Sequence, residues 1–186
     1  MSTRGLWGFA VGGEVKVTYN HSDSYPSGLG DEVLKFAHGI TPEVRERAGG
    51  LHMVNQDGKP TPEEIKRLAW YANRRVGSQQ IEDWYVLLRE TQGDPVATLD
   101  AGVMIESRAF AADSLFCEWG YVIDLDENRF EVYRGFQHAP HTEGRFAADE
   151  RHDGEYWPIR LVASYPLDAL TEELDEGALS GEEDDE

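Results

Sequence analysis

The sequence is poor in cysteine, poor in positive charge and without long apolar runs. Its single cysteine, Cys117, excludes an internal disulfide framework and any multi-cysteine zinc module. No apolar stretch approaches the ~20 residues of a membrane span, and Met1-Ser2-Thr3-Arg4 leads into no signal-peptide core. A phosphate-binding loop, a Gly-x-Ser-x-Gly elbow and a dinucleotide fingerprint are all missing, so no cofactor is expected. These absences together lead us to expect a soluble, cytoplasmic protein without a membrane partner.

Against 36 acids stand only 17 Lys and Arg, a net charge of −19. Nine of the acids lie between Glu172 and Glu186, where there is no base. Residues 1–171 still carry 27 acids against 17 bases, a net −10. Such a field disfavours direct binding to nucleic acid or membrane phosphates and favours a basic partner. The aromatic content, 11%, excludes wholesale disorder. The expected organisation is one α+β domain over residues 1–171, followed by a disordered acidic tail over 172–186.

Two β-forming runs, Leu6–Val11 and Val15–Tyr19, flank Gly12-Gly13 and predict a hairpin over residues 5–20. Asp31–His38 reads as a short helix closed by Gly39, and Thr41-Pro42-Glu43 starts another over about 41–48. Residues 49–60 read as a loop that turns at Asp57-Gly58. Thr61-Pro62-Glu63-Glu64 is a capping box, and the helical spacing of Ile65, Leu68, Ala69, Ala72 and Val76 extends that helix toward residue 76. Ser78 is the expected cap of a fourth helix, with Ile81, Trp84, Tyr85 and Leu88 as its apolar face and Gly93 as its end. Trp70, Tyr71, Trp84 and Tyr85 are read as core, and Arg74-Arg75 as ordinary partners of a helix dipole.

The second half has the period of strands. Leu115–Leu125 reads as a long strand, Asp126–Asn128 as a turn and Arg129–Arg134 as the return strand. Tyr156–Tyr165 is a further strand, and Leu167–Leu174 a last short helix. Strands at both ends around a block of helices predict an α+β fold. Its mostly antiparallel sheet joins the N-terminal hairpin to the C-terminal strands, against the central helices.

The densest candidate site is Ser2–Phe9 with Tyr19–Gly30. The pattern Thr3-Arg4-Gly5-x-x-Gly8-Phe9, then Lys16-x-Thr18-Tyr19-Asn20-His21-x-Asp23-Ser24-Tyr25-Pro26-x-Gly28-Leu29-Gly30, resembles an uncharacterised family of proteins from bacteriophages and related bacterial elements. Glu118–Asp126 and Val132–Phe136 are similar to the same family. The resemblance covers roughly residues 3–36 and 115–165 and brings no activity with it. It implies a phage-type accessory protein in the host cytoplasm. With the charge, that leads to the expectation of host interaction or counter-defence, in which a basic host protein is bound by imitation of nucleic-acid phosphate.

The layout of the same segment also resembles N-terminal-nucleophile hydrolases, including the class II glutamine amidotransferases. That resemblance implies a small amide hydrolase. Ser2 or Thr3 would be the nucleophile, with its own α-amine as base. Asn20 and Asp23 would orient the substrate or contact an oxyanion. His21 and Asp23 are a candidate acid–base pair if strand geometry continues through them, and a side-chain-capped turn if it does not. Arg4, Tyr19, Ser24 and Tyr25 are the candidate binding residues.

Other constellations are weaker. His138-x-x-His141 with His152 lacks a helix to align its ligands, and no metal site is expected. Asp124-x-Asp126-x-Asn128 begins like a calcium loop but has Arg129 where glycine is needed, so it reads as a hairpin turn. Cys117, mid-strand among apolar residues, reads as a small buried hydrophobe.

Overall fold

Strand β1 (Gly5–Val11) is apolar at almost every position and suits only a place covered on both faces. It takes that place in a computed structural model, which describes residues 2–152 and 154–181. The architecture is α+β, built on a mixed five-stranded sheet ordered β2-β1-β5-β6-β7. Here β2 is Glu14–Asn20, β5 Trp119–Asp124, β6 Arg129–Arg134 and β7 Arg160–Pro166. Within this sheet every pairing is antiparallel except that of β1 with β5, which aligns Gly5 with Trp119 and Ala10 with Asp124. A parallel pair needs a long crossover, and here that crossover contains all the central helices.

Alternation divides the strands between two cores. On one face Trp7, Phe9, Tyr121, Ile123, Phe130 and Val132 pack under α1 (Asp31–Ala37), with Ala48 of α2 (Pro42–Gly49) and Leu99 of α5 (Pro95–Ala101). On the other, Leu6, Ala10, Val17, Val122 and Tyr133 are closed by Ala111, Phe146 and Ile159. A third cluster joins β3 (His52–Val54), paired in parallel with β4 (Val103–Ile105), to α3 (Pro62–Leu68) and α4 (Trp84–Leu87).

Two buried charge sites are matched. Lys16 donates its ammonium protons to the carbonyls of Gly49 and Leu51, at 2.6 and 3.1 Å. There it meets the negative end of α2. On the opposite face Arg145 forks onto Glu131, at 2.8 Å from both Nε and Nη2, and reaches Asp124 at 2.6 Å. Tyr133 adds its hydroxyl proton to Glu131. This clamp ties the long 137–154 connection to the sheet. It satisfies two carboxylates that would be costly alone.

Several helical expectations shorten. The helix expected to reach residue 76 ends at Leu68 and continues only as a 3-10 turn over Ala69–Tyr71. The amide of Asn73 is drawn to the carbonyl of Val86, a tertiary bond that replaces another helical turn. The helix expected from Ser78 is confined to Trp84–Leu87 and is capped by Asp83. Gly77 and Gln79 before it have positive φ. Trp84 is buried and Tyr71 and Tyr85 are half-buried, but Trp70 is exposed, against the expectation that all four are core. Arg74 and Arg75 lie beyond the helix and complement no dipole. The 49–60 loop contains β3, and α5 was not anticipated. The 115–125 strand starts only at Trp119, leaving Leu115 and Phe116 exposed.

The acidic tail does not begin at Glu172. In place of the expected 167–174 helix, residues 176–180 form α6 (Glu176–Ser180), capped by Asp175. Leu174 and Leu179 are 7% and 5% exposed in the helix-side core, and the Leu174 amide donates to Asp31 at 3.0 Å. Two leucines among acids are enough to dock the segment, because each buries a full side chain. Residues 182–186 of the expected tail lie outside the described residues. Leu174→Ala is expected to cost about 2–5 kcal/mol, and removal of 172–186 should lower the thermal midpoint. An unchanged midpoint after the truncation would mean that the segment is not packed.

Candidate functional site

The two segments singled out in the sequence do meet in space. Gly5 pairs with Asn20 at the end of the hairpin, which brings Ser2, Thr3 and Arg4 alongside Asn20–Ser24. The Ser24 amide donates to the Thr3 carbonyl at 3.1 Å, and the Ser2 hydroxyl to the His21 carbonyl at 2.7 Å. Arg4 places its guanidinium 5.5 Å from the centre of the Phe116 ring, and its amide faces Glu118.

The organiser of the loop is Asn20. Buried at the end of β2, it gives one amide hydrogen to the Ser22 carbonyl at 2.6 Å and another to the Ser24 hydroxyl at 2.9 Å. A carboxamide has two N–H donors, so none remains for an oxyanion. Ser24 is itself fully buried, and its carbonyl accepts the Tyr121 hydroxyl at 2.9 Å. Burial and the nearby Glu176 and Asp31 charges push the Tyr121 phenol far above its ordinary range, so it stays a donor. Tyr121 arrives from β5, 97 residues away. The sequence alternation puts it on a face with Trp119 and Ile123 but does not show what its hydroxyl reaches.

Asp23 is exposed, with φ +54°, and contributes its backbone: its carbonyl accepts the Leu29 amide at 2.8 Å. A Cβ on Gly28 would sit 2.2 Å from that same oxygen, so glycine is required there. A Cβ on Gly5 would sit 2.5 Å from the Trp119 carbonyl and 2.7 Å from the Ser24 Cβ. Tyr25 closes the turn by accepting the amides of Gly28 and Gly30. The motif glycines, Asn20 and Ser24 thus serve one tightly packed junction between the hairpin, β5 and α1.

His21 is exposed on the rim, its Nδ1 3.1 Å from the Tyr19 hydroxyl. Tyr19 packs edge-on against Phe110. Burial raises its phenol above the ordinary value, although the Arg4 and Arg89 cations pull the other way. A small cavity beside it, lined by Thr18, Tyr19, Tyr85, Gln92, Met104 and Ile105 among others, has a volume near 20 Å³. That is room for one water and not for a substrate. Gln92, which lines it, has its Oε1 buried with no hydrogen-bond partner among the described residues.

Chemically, the arrangement binds its own chain. The Ser2 hydroxyl proton is given to a carbonyl, which can accept it but cannot carry it away as a base. His21 and Asp23 are brought near one another by sequence, without a bond between their side chains among the described residues. Elsewhere, His141 is bonded through Nε2 to the Pro158 carbonyl, His138 lies tilted against the Tyr156 ring, and the 124–128 turn closes with Asp124 accepting the amides of Asp126 and Glu127. Cys117 is fully buried, and burial pushes its thiol well up, where it is unreactive. Comparison with family models, curated proteins and solved structures finds no match.

Ser24→Ala removes the acceptor of a buried amide hydrogen and is expected to destabilise by about 1–3 kcal/mol in urea unfolding. A hydroxyl-acylating β-lactone should leave the intact mass of the untagged, Met1-processed protein unchanged. One stoichiometric adduct at Ser2 or Thr3 would instead establish a nucleophile.

Proposed function

We propose that this chain is an acidic interaction protein of the phage accessory type, which binds a basic host partner through an ordered carboxylate face. The observation that carries the reading is the docking of the C-terminal segment against α1. It gathers Asp31 and Glu32 with Glu172, Glu173, Asp175 and Glu176, none of them in an ion pair among the described residues. Five of the six are exposed, and Lys35 is the one base on α1.

Clustered like charges repel one another, and a cationic partner relieves that repulsion as it docks. Because the segment is anchored by Leu174 and Leu179, its carboxylates are displayed at set positions instead of along a solvated coil. Spaced negative groups on a rigid surface are what a protein needs to occupy a site built for phosphates. The −19 net charge adds long-range steering toward such a partner.

The test is retention of a defined basic host protein from bacterial lysate on immobilised chain, beside a variant carrying Glu32→Gln, Glu172→Gln, Glu173→Gln and Glu176→Gln. Binding should hold at about 50 mM salt, fall away by about 500 mM, and be weakened at least tenfold in the variant. Retention indifferent to salt and to the four substitutions would remove the basis for this function.

A further inference from the structure

The third core cluster leaves one large side chain outside it. Leu68 is buried under α4 and Tyr71 packs at the rim of the same cluster. The intervening 3-10 turn rotates Trp70 outward, where it is 88% exposed. Its surroundings run against the character of the molecule. Residues 59–75 contain five of the 17 bases, Lys59, Lys66, Arg67, Arg74 and Arg75, and only two acids, Glu63 and Glu64. Of those acids, Glu64 is occupied in the α3 capping box.

Almost every other arginine of the chain is tied to a carboxylate, a carbonyl or an aromatic ring. Arg67 belongs with those, donating to the Ala101 carbonyl at 2.7 Å. The side chains of Lys66, Arg74 and Arg75 make no hydrogen bond or ion pair among the described residues, and all three are exposed. Lys66 precedes Trp70 by four residues and Arg74 follows it by four, no more than about 14 Å of chain in either direction. An exposed indole therefore stands between unengaged cations.

We infer that Trp70, with Lys66, Arg74 and Arg75, forms a binding site for single-stranded nucleic acid, the indole stacking on a base and the three cations meeting neighbouring phosphates. The occupant follows from what surrounds the ring. A protein anchor needs a rim of near-neutral contacts that excludes water, and an interfacial membrane helix needs further apolar side chains on the same face. Trp70 has neither, since Ile65, Leu68 and Tyr71 turn toward the core. A stacking platform needs only an open ring face and cations spaced along a backbone, which is what this turn presents. The strongly negative remainder of the chain repels a strand everywhere else, so the contact is short and local. The charge argument against nucleic acid holds for the molecule as a whole and fails at this one turn. The site lies in the α3–α4 region, and its existence does not depend on the carboxylate face of α1.

The experiment is fluorescence anisotropy of labelled oligo(dT) and oligo(U), about 12 nucleotides long, titrated with full-length protein at about 20 mM salt. Both arms read binding, and their ratio shows whether ribose or deoxyribose is preferred. We expect saturable binding with quenching of tryptophan emission. Trp70→Ala should weaken it at least fivefold while Trp70→Phe, which keeps a ring, retains most of it. The logarithmic salt slope should be near −2, from about −0.7 per phosphate contacted. The triple variant Lys66→Gln, Arg74→Gln, Arg75→Gln should flatten that slope. Absence of binding, or equal binding by Trp70→Ala, would overturn the inference. Polyglutamate or phosphatidylserine vesicles binding as tightly as the oligonucleotides would overturn it too, assigning the turn to an acidic protein or a membrane. All the substituted side chains are exposed, and circular dichroism checks that each variant remains folded.

Discussion

Everything in this molecule is arranged around the parallel pairing of β1 with β5. It places the most apolar strand of the chain in the interior of the sheet and forces the 107 residues between them, 12–118, to act as one crossover. The helices on one face, the β3–β4 unit beyond them and the Asn20–Gly30 loop are all parts of that crossover, and each is located by the need to return to β1's side. The junction built by Gly5, Asn20, Ser24 and Tyr121 marks where the two ends of the crossover pass one another. It leaves no space for a Cβ at Gly5.

That junction explains what the dense, specific motif does for the fold. Polar residues in a loop beside a chain terminus are equally suited to binding substrate and to satisfying backbone groups where several elements converge. Here the Asn20 amide hydrogens are both donated internally, Ser24 is sealed, and Asp23 serves through its carbonyl. Meanwhile the groups most available to another molecule carry no motif at all: a turn with an outward tryptophan, and a set of carboxylates brought together by two leucines.

The legible parts of the fold were those with a local cause. The hairpin at Gly12-Gly13, the starts of α1, α2 and α3, the 126–128 turn and the α+β class follow from turn residues, caps and alternation. Helix α5 was equally readable, with Asp94 as cap, Pro95 at its first position and Gly102 in the left-handed conformation after its end, but the segment lacks a long apolar stripe. The lengths of α3 and α4 were not readable, because they are set by tertiary bonds such as that between Asn73 and Val86. Nor was the docking of 172–181, where composition pointed to a solvated tail and two apolar residues decided otherwise. At the candidate site the participants were legible and their partners were not. Tyr121 and Phe116 come from far along the chain, and no periodicity announces where a side chain ends. The outward turn of Trp70 depends on a helix that ends at Leu68, well short of the residue 76 that its spacing implies.

The carboxylate caps have a consequence for how the charge of this protein can change over generations. Asp83, Asp94 and Asp175 each close a helix start by accepting a backbone amide. Asparagine or serine would perform that service about as well. Mutational drift can therefore exchange these acids for neutral residues at little cost in folding, and so make the chain less negative by small, independent steps. The fold tolerates the acidity without demanding it, which leaves the surplus under the control of whatever the surface meets.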